Sequence, residues 1–153
     1  MKLSLAPWGE SLEELRDAAV AAEDAGFDTV WLSELHRSAF VPAGVLAEAT
    51  QRVRVGTAIA LAFVRSPLTT ALTSLDLDEL SDGRFVLGLG SGVKRLNQDW
   101  HNATFGKPAA HLRESIAAIR QLVASVHTGQ TIRIEAEWEP VHLRGYERPF
   151  PPR

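Results

Sequence analysis

The strongest constraint on this chain is its punctuation: extended apolar runs alternate with helix-spaced runs, and capping residues mark the boundaries. Residues 2–6 form a short apolar-rich run ended by Pro7 and Gly9, and they read as a strand. Ser11-Leu12-Glu13-Glu14 is a capping box: the Ser11 hydroxyl accepts from the Glu14 backbone N–H, and the Glu14 side chain reaches back. Leu12, Leu15, Ala18, Ala19 and Ala22 follow at helical spacing, and Gly26 supplies a left-handed stop, so a helix is expected over residues 12–25. Residues 28–33, β-branched and aromatic, read as a second strand with Trp31 in the core. After a loop over 34–41, Pro42 at a first helical turn opens an Ala-rich helix to about residue 50.

The same alternation continues. Residues 53–60 read as a third strand. Ser66-Pro67 is an N-cap with proline at the first helical position, and Leu68, Ala71, Leu72, Leu75 and Leu80 mark a buried stripe ended by Asp82-Gly83. Residues 85–89 are nearly all apolar, as a strand covered on both faces would be. Following a glycine-rich turn and a polar loop, Pro108 opens a fourth helix, with Leu112, Ile116, Ile119, Val123 and Val126 at intervals of four, three, four and three. Residues 131–136 and 140–144 form a small hairpin, and Pro149 to Arg153 is a stiff extended segment. The order βαβαβαβα plus hairpin implies parallel strands joined by right-handed crossovers, in either an open doubly wound sheet or part of a (β/α)8 barrel.

Composition narrows the function classes. The 153 residues, 45% hydrophobic, suffice for one domain with a core. A net charge of −3, with no basic cluster beyond Lys94-Arg95, argues against nucleic acid as a partner. No run of 18 apolar residues exists to cross a membrane, and the apolar part of the N-terminus is too short for a signal peptide, so a cytoplasmic location is expected. There is no cysteine, and His101, His111, His127 and His142 show no metal-ligand spacing. They read as surface residues, and no metal is expected.

Chemistry is expected at the C-terminal strand ends. Gly88-Leu89-Gly90-Ser91-Gly92 sits at one, where glycines admit close backbone approach and offer free N–H groups. It is not a dinucleotide fingerprint, because Val93 stands where the third glycine is needed, and no Gly-Lys-Ser/Thr makes a Walker loop. Lys94, Arg95 and Asn97 follow and could contact a phosphate or a polar cofactor tail; a solvated loop is the competing reading. Glu34-Leu35-His36-Arg37 follows the second strand, where a carboxylate, an imidazole and a guanidinium can hold a polar ligand or move a proton, or simply form a local ion pair in solvent. Trp8, ending the first strand, lines a pocket or packs on the first helix.

The string Leu80-Ser81-Asp82-Gly83-Arg84-Phe85-Val86-Leu87-Gly88-Leu89-Gly90, with the run from Val55 to Pro67 and the segment from Ala25 to Glu34, resembles the luciferase-like monooxygenase superfamily, most of all its coenzyme F420-dependent oxidoreductase branch. The resemblance implies an α/β, (β/α)8 TIM-barrel fold, present over residues 1–153 as one N-terminal half-barrel of about four βα units plus the hairpin. It implies a flavin- or deazaflavin-dependent oxidoreductase or monooxygenase, with coenzyme F420 or FMN at the barrel mouth and a small organic molecule as substrate. Carried onto this sequence, catalytic roles fall to His36 and Glu34. Cofactor contacts fall to Ala60, Leu61, Ala62, Gly90 and Ser91, and the residue types at the strand ends add Trp8, Lys94 and Asn97 to the candidate cofactor contacts. The family often has a non-prolyl cis peptide after strand three, here near residues 60–62. A half-barrel would expose sheet edges and an apolar face, so association is expected, either as a homodimer or with a second half-barrel chain. A non-catalytic subunit acting through association is the alternative.

Overall fold

The structure is a computed structural model and describes residues 2–150; the last three positions of the expected extended tail lie outside the described residues. Among the described residues, eight strands and four α-helices follow in the order β1 (Ser4–Leu5), α1 (Leu12–Asp24), β2 (Thr29–Leu32), α2 (Phe40–Ala49), β3 (Arg54–Thr57), β4 (Ala60–Leu61), α3 (Pro67–Leu80), β5 (Phe85–Val86), β6 (Leu89–Gly90), α4 (Pro108–Ser125), β7 (Ile132–Ile134) and β8 (Val141–Leu143). A four-stranded parallel sheet runs β1-β2-β3-β5, so each βα unit lays its strand beside the previous one. A doubly wound sheet would reverse direction at a switch point; this sequential order is the barrel type. β7 and β8 pair antiparallel as the expected hairpin.

The chain divides into two compact units, residues 2–60 with 76–89 and residues 61–75 with 90–150. In the first, Leu15, Ala19 and Ala22 of α1 and Phe40, Ala43 and Leu46 of α2 bury against Val30 and Leu32 of β2 and Val55 of β3. Trp31 alternates to the opposite side of β2, so it stands outside this core and is half-buried. Its ring lies over Gly56, directly across in register, where a β-carbon would sit 2.4 Å from the indole. The second unit buries Phe63, Ala71, Leu96, Ile119, Leu122, Val126 and Ile132.

The capping signals hold, with local differences. The Glu14 N–H donates to Ser11 Oγ at 3.1 Å, but the Glu14 carboxylate reaches back to the Glu10 N–H (2.7 Å), one residue earlier than a capping box requires. Gly26 takes the left-handed conformation at φ +79°. α2 starts at Phe40, so Pro42 is its third residue; the first turn has no intrahelical N–H bond for proline to remove. Ser66 Oγ accepts from the Thr69 N–H at 3.2 Å.

The third and fourth strands are each interrupted where a single strand was expected. The third divides into β3 and β4 around a cis peptide between Ala58 and Ile59, just upstream of the expected 60–62. The fourth divides at Leu87-Gly88. There the Gly88 N–H donates to Thr57 Oγ1 (2.9 Å) and the same hydroxyl donates to the Gly88 carbonyl (2.8 Å). Residues 85–89 are half-buried, not covered on both faces as their composition suggested.

Two side chains tie the connections down. The Arg84 guanidinium donates to the carbonyls of Ala47, Thr50 and Val53 and to Thr50 Oγ1, at 2.8–3.0 Å, which satisfies the C-terminal end of α2. The Glu23 carboxylate accepts the backbone N–H groups of Gln51, Arg52 and Val53. Burial pushes the Glu23 pKa up, but the N–H groups of Val53, Arg52 and Gln51 together outweigh it and hold the carboxylate below its ordinary range.

Candidate functional site

In the first unit, the loops after β1 and β2 close around a cavity of about 340 Å³. Its apolar wall includes Trp8, Leu15, Leu32, Leu35 and Pro42, and His36 faces in beside them. The two loops are joined by Arg37, whose guanidinium donates to the carbonyls of Gly9 and Glu10. The loop after β2 is anchored at its root, where the Glu34 N–H donates to the Ile59 carbonyl at 3.1 Å. Trp8 is 79% exposed and meets the His36 ring edge-on, centroids 6.4 Å apart at 90°. Trp8 therefore takes the pocket-lining role of its two expected alternatives. His36 is exposed, and its imidazole can donate or accept a proton toward a bound molecule. Glu34 is half-buried and is not among the residues lining this cavity.

In the second unit, the expected cofactor-contacting residues gather around the glycine turn. The Ala62 N–H donates to the Gly90 carbonyl at 2.9 Å. Gly92 has φ +60°, and a β-carbon there would meet Leu61 Cδ2 at 2.5 Å, so only glycine fits. Asn97 is fully buried, and its Nδ2 donates to the carbonyls of Ser91 (2.7 Å) and Val93 (3.0 Å). Its Oδ1 is buried with no hydrogen-bond partner among the described residues. The expected polar loop is in fact a single π-helical turn, Leu96–Trp100, with Asn97 inside it. Such turns recur at functional sites. Lys94 and Arg95 are exposed, and Arg95 pairs with Asp99 at 3.7 Å. Ala60 belongs to the first unit, where its N–H donates to the Gly88 carbonyl at 2.8 Å.

One histidine departs from expectation. His111, read from sequence as a surface residue, is 2% exposed. Its ring stacks on Phe63 with centroids 3.8 Å apart and planes 2° from parallel, and Trp138 packs at 5.6 Å. Nε2 meets Glu139 Oε1 at 2.8 Å and Nδ1 meets the Phe105 carbonyl at 3.3 Å. Its polar partner lies 28 residues away in the hairpin turn, so no local pattern could signal it. The adjacent Glu114 carboxylate is held below its usual range, first by the Trp138 N–H, against burial, with help from the N–H groups of Glu137 and Glu139. His127 is half-buried, while His101 and His142 are exposed as expected. Among the described residues no group of three His, Cys, Asp or Glu could hold a metal ion, and no helix is long and apolar enough to cross a membrane.

Sequentially ordered parallel βα units, with a ligand-sized cavity and a glycine turn after their strands, define an α/β protein of the TIM-barrel type. The family profile of luciferase-like monooxygenases matches residues 3–152, and the chain belongs to that family. A Mycobacterium tuberculosis protein named as a coenzyme F420-dependent oxidoreductase is 40% identical over 124 residues, covering 80% of this chain and 36% of that protein. Thus the chain spans about a third of the length of the curated relatives it matches. Two solved structures share the fold. The coenzyme F420-dependent tetrahydromethanopterin reductase of Methanopyrus kandleri has TM-score 0.79 and 22% identity, over 97% of this chain and 45% of that one. The oxygenating constituent of 3,6-diketocamphane monooxygenase from Pseudomonas putida, in complex with FMN, has TM-score 0.76 and 19% identity, over 93% of this chain and 43% of that one.

Proposed function

We propose that this chain is the N-terminal half of a luciferase-like barrel and supplies the cofactor grip and the proton-handling residue of a flavin- or deazaflavin-dependent oxidoreductase acting on a small organic molecule. Of the two cofactors, coenzyme F420 is favoured: it is named for the 40% relative, whereas FMN appears with a 19% structural likeness. When bound, the reduced deazaflavin supplies a hydride to the substrate, and a reduced flavin could instead activate oxygen.

The residues present fit such a group. Asn97 spends both amide hydrogens on the glycine turn and keeps Oδ1 unspent, an acceptor suited to an imide N–H of a flavin-type ring once the turn adjusts to it. That unpartnered buried oxygen is the observation that carries the reading. Backbone groups of Leu61, Ala62, Gly90 and Ser91 provide close approach for a flat ring. Exposed Lys94 provides positive charge for a phosphorylated tail. His36 holds or moves the proton at its imidazole nitrogen while water is limited by the apolar wall around it. Glu34 assists through its charge on the same loop. The protein works in the cytoplasm, as a homodimer.

The test is a titration of the full chain with coenzyme F420 and, separately, with FMN, followed by visible absorbance and thermal melting. At a hundredfold excess over Kd, binding adds about 2.7 kcal/mol, or roughly 5–10 °C in a protein of this size. Coenzyme F420 is expected to change its spectrum and raise Tm, with Asn97→Ala weakening both effects. No spectral change and no stabilisation by either cofactor at millimolar concentration would remove the reading.

A further inference from the structure

We infer that His111 is held in its doubly protonated, cationic form and acts as a charged latch. It fastens the β7–β8 hairpin turn and the loop at Phe105 to α4, and it opens as pH rises. Every group involved belongs to the second unit, and the latch is independent of any cofactor.

Both ring nitrogens face acceptors. Nδ1 lies 3.3 Å from the Phe105 carbonyl oxygen, and Nε2 lies 2.8 Å from Glu139 Oε1. A carbonyl only accepts, and so does a carboxylate. A neutral imidazole has one N–H, so either tautomer would press a nitrogen lone pair against an oxygen lone pair, at a residue only 2% exposed. Two protons on the ring satisfy both contacts. Ser115 opposes the alternative of a proton on Glu139, because its hydroxyl donates to the same Oε1 at 3.3 Å and so places that oxygen as an acceptor. Ser115 is not a nucleophile here: its partners are Oε1 and the His111 backbone carbonyl (3.0 Å), not the imidazole.

The surroundings suit a cation. The ring lies flat on Phe63 with centroids 3.8 Å apart, and Trp138 packs at 5.6 Å. Aromatic faces attract a positive charge, most of all where water is excluded. Glu114, on α4, senses that charge: the Trp138 N–H does most to hold its carboxyl low, and His111 adds to it. Three like charges stand nearby: Arg65 before α3 and His101 after the π-helical turn, both at the adjoining cavity, and exposed Lys107 one turn back on α4. Glu139 is the charge in direct contact with the ring, and it decides the balance.

His111 is thereby a positioning residue for the glycine turn. Phe63 follows Ala62, whose N–H holds the Gly90 carbonyl, and two residues before Phe105 the Ala103 N–H donates to the Asn97 carbonyl at 2.9 Å. Losing the proton weakens both attachments. Because folding takes up this proton, the latch is complete below the range of an unfolded histidine, about pH 6.5. It fades as pH rises further, by up to about tenfold in the unfolding constant per pH unit.

The experiment follows the full chain, without cofactor, from pH 6 to 9. Long-range proton–nitrogen NMR is expected to show both His111 ring nitrogens protonated at pH 7.5, where a free imidazole is about one-tenth protonated. The amides of Trp138, Glu139 and Gly90 should shift with the midpoint of the ring. In urea unfolding, the unfolding constant should rise about threefold between pH 7 and 8. Glu139→Gln, whose amide can donate to a neutral ring, should flatten that profile and leave one nitrogen protonated, whereas His101→Gln should keep the parent's profile. A singly protonated ring in the parent at pH 7.5 would overturn the proposal whatever the variants do. A Glu139→Gln profile as steep as the parent's, or a profile flattened by His101→Gln, would overturn it too.

Discussion

Replacing Gly88 with alanine is the sharpest probe of how the strands reach the glycine turn. A β-carbon at this position would sit 2.0 Å from the Thr57 carbonyl oxygen, a backbone atom that cannot rotate away. Relief requires β3 and the Leu87-Gly88 segment to separate by more than 1 Å, which also breaks the two hydrogen bonds between Thr57 Oγ1 and Gly88. Forced overpacking costs about 1–3 kcal/mol, and two lost hydrogen bonds cost about 1–3 kcal/mol more. The sum, roughly 2–6 kcal/mol, is a large fraction of the stability of an ordinary domain and lowers Tm by roughly 5–25 °C. Thermal melts followed by circular dichroism read it directly. Gly26→Ala is the matched control: φ is +79° but no atom lies within 4 Å, so its cost is conformational alone, about 1–2 kcal/mol. If Gly88→Ala melts no lower than Gly26→Ala, the close approach at Thr57 does not exist in solution.

Three other outcomes follow from the same structure. Arg84→Ala should cost about 2–4 kcal/mol in urea unfolding, because four acceptors around the end of α2 lose their donors, and Arg84→Lys should recover little, since one ammonium cannot span them. His36→Gln should lower kcat about a hundredfold in an F420-coupled assay while changing the Kd for cofactor little, because the imidazole is assigned to proton handling. Glu23, Glu114 and Asp28 all have lowered carboxyl pKa values, Asp28 chiefly through its hydrogen bond from Arg54. Their stabilisation is complete above the unfolded-state carboxylate range and disappears as pH falls through the lowered folded values. The chain should therefore lose stability below about pH 4.5, and Glu23→Gln should flatten that loss in acid titrations followed by fluorescence.

The parts of the fold that were legible in the sequence were those written in local chemistry. Ser11, Gly26, Ser66-Pro67 and Pro108 act within a turn of their own position, and their helices start and stop where these residues put them, within a residue. Parallel pairing followed from the alternation of elements, which left a doubly wound sheet and a barrel both open, and the string around Asp82-Gly83-Arg84 carried the family and with it the barrel. What stayed hidden depends on distant partners. Nothing near Gly88 announces that Thr57 lies against it, so one apolar run concealed two strands. The π-helical turn at Leu96–Trp100 has no apolar periodicity and follows three glycines, so it read as loop. His111 looked like any polar residue on a helix, because Phe63 and Glu139, which enclose it, come from segments 48 residues before and 28 after.

At the candidate site the same division holds. The residue types after the strands drew attention to Trp8, His36, Gly90, Ser91 and Asn97. Trp8 and His36 do share one cavity, and Gly90, Ser91 and Asn97 do share one turn. The sequence could not foresee that both amide hydrogens of Asn97 are taken by the turn, which leaves the oxygen as its one unspent group.

The most direct measurement of the central claim is a backbone amide NMR titration of the full chain with coenzyme F420. Saturable shifts are expected at Leu61, Ala62, Gly90, Ser91 and Gly92 together with the Asn97 side-chain amide, all with one Kd. Shifts confined to other residues, or none in this group at saturating cofactor, would contradict it.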